Sequence, residues 1–315
     1  MHRIVFLQRD TLTARVRRPS FAHEWAEYAD TGATEQAARL AGASIAISNK
    51  LPMPRSLLEQ LPRLKLIAIS ATGANHIDLA CCRERGIAVC NVRGYSRHTL
   101  PEHTMMLLLA LSRSLPGYMH DVAAGKWQAS DKFFLDGAPI QDLYGATLGI
   151  IGRGSAGDAV ARLAAAFGMR VLFAEHRRAS GVREGYAAFD TVLKNADAIT
   201  LHCPLTHDTD KLMGARELAL MKPGALLINT ARGGLIDETA LVEALASGHL
   251  GGAGLDVLSE EPPVHGNPLL ELQHPNLIIT PHTAWASAGA QQLLADQLID
   301  VIEAWVHGVP RNVVA

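Results

Sequence analysis

The chain has 315 residues, enough for about two domains, and 48% of them are hydrophobic. Lys and Arg number 29 against 31 Asp and Glu, and the formal net charge of -2 excludes a global pull toward nucleic acid or an anionic membrane. Cys81, Cys82, Cys90 and Cys203 show neither CxxC nor zinc-like spacing and read as reduced thiols of a cytoplasmic protein. The N-terminal apolar run is too short for a signal peptide, and the longest apolar run, 105–111, falls far short of the ~20 residues of a membrane span.

In chain order, apolar runs predict strands at 4–7, 44–48, 65–69 and 87–90, with helical patterns at 33–41, 54–60 and 75–85. Arg15, Arg17 and Arg18 read as a solvated face. Thr99-Leu100-Pro101-Glu102 has the spacing of a capping box, opening an apolar helix that Pro116-Gly117 interrupts or ends. A crossing between domains is expected near 94–100. A second series of strands follows at 147–151, 170–174, 198–201, 225–229, 251–255 and 277–280. The last helix, 287–307, carries an apolar stripe of period 3.6 ending at Gly308. Strands alternating with helices predict an α/β fold of two doubly wound parallel-sheet domains.

The strand at 147–151 runs into Gly152-Arg153-Gly154-Ser155-Ala156-Gly157, a GxGxxG turn that opens a helix. Such glycines permit the tight turn, the approach of a pyrophosphate to the backbone, and close packing of helix on strand. The next strand leads into Glu175, placed to accept hydrogen bonds from adenosine ribose hydroxyls. A carboxylate there favours NAD(H), while His176, Arg177 and Arg178 leave NADP(H) open. Cys203-Pro204 follows another strand, either beside the adenine or as plain strand-end packing.

Three further clusters follow strands: Asn229-Thr230-Ala231-Arg232-Gly233-Gly234, then Gly254-Leu255-Asp256 through Glu260-Glu261-Pro262, then Thr280-Pro281-His282-Thr283-Ala284-Trp285. Ligands of open α/β sheets bind at these carboxyl ends. An arginine can clamp a carboxylate and polarise a carbonyl, and a histidine can pass a proton near neutral pH. The histidines lack HxxxH or HExxH spacing, so no metal is expected.

The ordered set GRGxxG, NTARGG, GLDVLSEEP and TPH resembles the D-isomer-specific 2-hydroxyacid dehydrogenases along essentially the whole chain. The stretches at 47–50, 69–75, 90–95, 125–128 and 282–287 are closer to the D-glycerate dehydrogenase/hydroxypyruvate reductase branch. The resemblance implies a flavodoxin-like substrate domain of residues 1–97 and 286–315 and an inserted Rossmann NAD-binding domain of residues 98–285, with the active site in the cleft between them. It implies that Arg232 binds the substrate carboxylate and carbonyl, that His282 is the acid/base, and that Glu261, rather than Glu260, is its partner. Thr230, Ala231, Arg232, Asp256, His282 and Ala284 are implied to border the cofactor. Asn49, Ala71, Thr72, Gly73, Arg232, His282 and Trp285 are implied to border the substrate, the amides of 70–73 forming an anion nest. Trp127 and Trp285 are read as pocket walls, packing or subunit contacts; His98, His103, His202 and His207 as structural or peripheral.

The implied reaction is hydride transfer between NAD(H) and a small 2-keto or 2-hydroxy acid, above all hydroxypyruvate or glyoxylate, in a homodimer that binds neither nucleic acid nor membrane. The competing readings are an NAD-sensing, corepressor-like regulator without catalysis, and a phosphoglycerate- or phosphite-type dehydrogenase.

Overall fold

The computed structural model describes residues 1–315. They divide into two compact units, Met1–Ser96 with Trp285–Ala315, and Arg97–Ala284.

The first unit runs through β1 (His2–Phe6), β2 (His23–Glu27), α1 (Gln36–Leu40), β3 (Ile45–Ser48), α2 (Arg55–Leu58), β4 (Leu66–Ile69), α3 (Leu79–Glu84) and β5 (Ala88–Cys90). Its five strands are parallel, in the order β2-β1-β3-β4-β5. Side chains alternate between two buried faces. Val5, Ala46, Ile67 and Val89 pack on one, Ile4, Phe6, Ile45, Ile47 and Leu66 on the other. Coverage on both sides explains why these strands read as unbroken apolar runs. The second face is closed by the C-terminal helix Ala288–Val306, through Leu294, Leu298, Ile299, Val301 and Ile302. Strand β2 escapes the apolar pattern because it lies at the sheet edge, where His23, Glu24 and Glu27 stay partly or fully exposed. Within the arginine-rich segment, the part-exposed Arg17 reaches Asp300 and Glu303 of the C-terminal helix at 2.6 and 2.7 Å.

The second unit comprises α4 (Thr99–Ser112), α5 (Leu115–Ala123), β6 (Thr147–Ile151), α6 (Ser155–Ala166), β7 (Arg170–Ala174), α7 (Phe189–Asn195), β8 (Ala198–Leu201), α8 (Ala215–Leu220), β9 (Leu226–Asn229), α9 (Glu238–Ala246), β10 (Gly252–Leu255), α10 (Pro268–Glu271) and β11 (Leu277–Ile279). Six parallel strands lie in the order β11-β10-β9-β8-β6-β7, so the winding reverses between β6 and β8. That switch opens a crevice at the carboxyl ends of the strands. One face of the sheet is covered by α4 and α6, with Leu107, Leu108, Leu111, Val160 and Ala164 packed on Leu148 and Ile150.

Two details at α4 differ from the sequence expectation. Its N-cap is His98, already helical in conformation and without a side-chain cap, so Thr99 stands inside the helix and no capping box forms. The break after α4 comes at Ser114, with φ of 48°, and Pro116 occupies the first turn of α5. A proline there loses no hydrogen bond, because first-turn amides have no intrahelical partner. No helix is long and apolar enough to cross a membrane. The four cysteines are unpaired.

Candidate active site

Strand β6 delivers the glycine turn, and each glycine has a separate steric reason. Gly152 has φ of 104°, and a Cβ there would meet the Cys203 amide nitrogen at 2.5 Å. A Cβ on Gly157 would lie 2.1 Å from the Gly152 carbonyl oxygen. Gly154 instead faces open space, with nothing within 4 Å of its Cβ position. It is also the N-cap of α6 and supplies no side-chain cap, so the amides at Ser155, Ala156 and Gly157 begin the helix uncapped. Open space before uncapped amides at the positive end of a helix dipole fits a dinucleotide pyrophosphate. Arg153 lies across Phe173 at 4.5 Å and pairs with Asp158 at 3.2 Å.

A cavity of about 610 Å³ continues from this turn past Glu175, Cys203 and Pro204. His202 and Cys203 present uncharged groups to it: burial pushes the imidazole down to about 4 and the thiol up to about 11. Glu175 is buried, with 3% exposure. Its carboxylate accepts from the His176 amide at 2.9 Å, the Arg183 amide at 3.1 Å, and Nε and Nη2 of Arg183, both at 2.7 Å. The Arg183 guanidinium holds its pKa down to about 2. Arg183 was not singled out from the sequence; its only signal there is a cation eight residues beyond the acid.

At the end of β9, the wholly buried Asn229 folds the next turn. Its amide group donates to the Arg232 carbonyl at 2.8 Å and accepts from the Ala231 amide at 3.0 Å. Thr230 is fixed by the Thr104 hydroxyl at 3.0 Å. The Arg232 guanidinium donates to the Ala231 carbonyl at 2.6 Å. Gly233 then brings this turn against the one after β10, its hypothetical Cβ only 1.9 Å from the Leu258 carbonyl carbon.

The turn after β10 carries both adjacent acids, and they diverge. Glu261 accepts from the Leu258 amide at 3.0 Å with one oxygen and meets Nδ1 of His282 at 2.6 Å with the other. Glu260 pairs with His265 at 2.6 Å. Glu238 anchors the turn, accepting from the Ser259 amide and hydroxyl at 2.8 and 2.6 Å and from Asn267 at 2.9 Å. A carboxylate only accepts, so Nδ1 carries the proton and Nε2 is the nitrogen available for proton exchange.

His282 is held in the left-handed region, with φ of 54°. That conformation costs a non-glycine residue about 1–2 kcal/mol and persists where its surroundings enforce it. Asp256, 1% exposed, does so. Its carbonyl accepts from the His282 amide at 2.8 Å. One carboxylate oxygen takes the Thr280 hydroxyl at 2.6 Å and the Thr283 amide at 2.9 Å, and the other takes the Ala284 amide at 2.8 Å. His103 of α4 meets the Thr280 hydroxyl at 2.9 Å. Asp256 thus builds the turn around His282, and His103 belongs to the same network.

The remaining expected substrate residues lie in the other unit. Asn49 and Ala71 are buried, each with 7% exposure. The Thr72 hydroxyl donates to the Val92 carbonyl at 2.9 Å. No residue of 70–75 has a positive φ. Trp285 packs edge-on to Tyr95 at 6.2 Å. Trp127 is 51% exposed and donates to the Phe133 carbonyl at 3.3 Å.

A family model for the D-isomer specific 2-hydroxyacid dehydrogenase, NAD binding domain, matches residues 105–284. The chain is 49% identical over 313 residues to the glycerate dehydrogenase of Methylorubrum extorquens, covering 99% of this chain and 98% of that protein. It is 36% identical over 287 residues to the hydroxypyruvate reductase of Blautia hydrogenotrophica, covering 90% and 88%. A solved D-lactate dehydrogenase of Aquifex aeolicus, complexed with NAD and lactic acid, superimposes with a TM-score of 0.82 at 29% identity, covering 97% and 96%. The chain belongs to the D-isomer specific 2-hydroxyacid dehydrogenase family. It is an NAD-binding oxidoreductase of the 2-hydroxyacid dehydrogenase class.

Proposed function

We propose that the chain reduces hydroxypyruvate to D-glycerate, or glyoxylate to glycolate, with Arg232, Glu261 and His282 as the catalytic residues. The observation that carries this reading is the His282–Glu261 pair, 2.6 Å apart, on a turn that Gly233 locks to the one bearing Arg232. Bound NADH supplies the hydride to C2 of the keto acid. The Arg232 guanidinium clamps the carboxylate and polarises the carbonyl oxygen. His282 passes its Nε2 proton to that oxygen as negative charge grows, and Glu261 keeps the Nδ1 proton in place. Donors fixed toward the developing charge stabilise the transition state more than the ground state.

The substrate choice rests on the glycerate dehydrogenase and hydroxypyruvate reductase relatives. Asn49, Ala71, Thr72, Gly73 and Trp285 are assigned to the substrate side, and residues 1–97 with 286–315 to the substrate domain. The cofactor side is assigned to Gly152–Gly157, Glu175, Cys203, Pro204, Thr230, Ala231, Asp256 and Ala284. A homodimer is proposed through the segment after α4, where Met119, Phe133 and Tyr144 are 64%, 91% and 84% exposed. Sizing by light scattering tests it. Four unpaired cysteines support a cytoplasmic location. The activity is tested with NADH and a panel of hydroxypyruvate, glyoxylate, pyruvate and 3-phosphohydroxypyruvate. Highest kcat/KM on one of the first two supports the reading. Turnover confined to the phosphorylated acid, or no oxidation of NADH at all, overturns it.

A further inference from the structure

A carboxylate offers about four acceptor positions, and in Glu175 four donors already occupy them. Two are the backbone amides of His176 and Arg183, which shape the loop itself. The other two come from the Arg183 side chain, which is 56% exposed and rests over the Tyr186 ring at 4.2 Å. Only these two can be withdrawn without refolding the loop. The ribose diol of NADH needs acceptors on this carboxylate, and so must displace the guanidinium. A 2′-phosphate makes the opposite demand. It is repelled by a bare carboxylate and held by arginine, so it gains from an acid that is already neutralised.

The rest of the cavity leans the same way. It is lined by Arg153, Arg177, Arg178 and Arg183 against Glu175 and Asp208 as the carboxylates. Arg177 stands 3.6 Å from Glu217 and Arg178 stands 3.8 Å from Asp208. Both separations exceed a hydrogen bond, so either guanidinium can turn toward a phosphate at little cost.

We infer that Arg183 sets the choice of nucleotide by competing with the adenosine ribose for Glu175, and that the chain accepts NADPH alongside NADH. The inference deepens the dehydrogenase reading above and rests on its cofactor site, not on its substrate. In the NADH-bound state the guanidinium swings off the carboxylate. In the NADPH-bound state it stays, and Arg177 or Arg178 joins it around the phosphate.

The test is calorimetric binding of 5′-AMP and of adenosine 2′,5′-bisphosphate to the full chain, with kcat/KM for NADH and NADPH alongside. The wild type should bind both nucleotides with affinities within about tenfold of each other, the worth of one charge-assisted hydrogen bond. Arg183→Met should tighten 5′-AMP and weaken the bisphosphate, moving their ratio by roughly tenfold or more. Glu175→Gln should move it the other way, and Arg183→Lys should fall between wild type and Arg183→Met. A purely structural Arg183 would change both nucleotides together and leave the ratio in place, which would overturn the proposal. So would a wild type that binds 5′-AMP and not the bisphosphate, or an Arg183→Met shift toward the bisphosphate. If Arg183→Met does not fold, the Glu175→Gln and Arg183→Lys ratios decide. Absence of turnover on hydroxypyruvate would defeat the substrate assignment while these binding ratios still judge Arg183.

Discussion

Gly233 sits so close to Leu258 that a Cβ on it would fall 1.9 Å from the leucine carbonyl carbon. Backbone thus packs on backbone between the turn that follows Arg232 and the turn that leads to Glu261. Gly233→Ala must push the two apart. Overpacking of this kind costs about 1–3 kcal/mol or more, and a displacement near 1 Å at a catalytic group can cost about 100-fold in rate. The expected variant folds with a lowered Tm and loses roughly two orders of magnitude in kcat/KM. Wild-type activity in Gly233→Ala, measured with Tm by calorimetry, would show that the contact is irrelevant to the site.

Arg232 acts through its charge and its planar fork. Arg232→Ala should lower kcat/KM on the keto acid by on the order of 10²–10³-fold, the scale of one lost oxyanion donor. Arg232→Lys should also be poor, because an ammonium cannot reproduce the bidentate geometry. Fluorescence titration with NADH should show binding retained. Loss of NADH binding to the same degree as turnover would assign Arg232 to the cofactor instead.

Asp256 uses both carboxylate oxygens to hold the turn around His282. In Asp256→Asn only one of the two terminal atoms can accept, so one buried donor is orphaned, at a cost of about 1–3 kcal/mol. The left-handed His282 should relax once that support is gone. Circular dichroism and kinetics should show a lowered Tm and a fall in kcat of roughly tenfold or more. A fall confined to the KM for nicotinamide nucleotide would mean that Asp256 serves the cofactor and not the turn.

Many of these features stand in local sequence, and some do not. The glycine turn and the three strand-end clusters are legible because each needs particular residue types at fixed spacing beside an apolar run. Strand β2 was not, since an edge strand keeps polar residues. The Thr99 capping box was expected from spacing, but backbone dihedrals, which spacing does not determine, went otherwise. Arg183 and Glu238 went unassigned because their partners lie 8 and 21 residues away. Contacts across such separations follow from the fold and carry no periodic mark.

The Arg17–Glu303 pair predicts a dependence on acid. Arg17 holds the Glu303 carboxyl at about 2, below its ordinary 4.5. A lowered folded-state value stabilises the native chain above pH 4.5, and the contribution fades as pH falls from there toward 2. Arg17 is 39% exposed, so solvent screening limits the pair to about 1 kcal/mol or less. Glu303→Gln should therefore lower Tm slightly at neutral pH, and the difference from wild type should shrink near pH ~3. A difference that stays constant or grows on acidification would contradict the ion-pair account.

The measurement that bears most directly on the site is hydroxypyruvate-dependent oxidation of NADH by Glu261→Gln and Glu260→Gln, compared with wild type and His282→Ala. Glu261 touches His282 and Glu260 touches His265, each at 2.6 Å, so the two neighbours are matched controls for one another. His282→Ala should lose the most activity, on the order of 10²–10⁴-fold for removal of a general acid. Glu261→Gln should lose roughly tenfold or more through a poorly oriented imidazole. Glu260→Gln should stay within about twofold of wild type, as expected for an exposed pair. Equal losses in the two glutamine variants, or a loss in Glu260→Gln alone, would contradict the assignment of Glu261 and His282 as the catalytic pair.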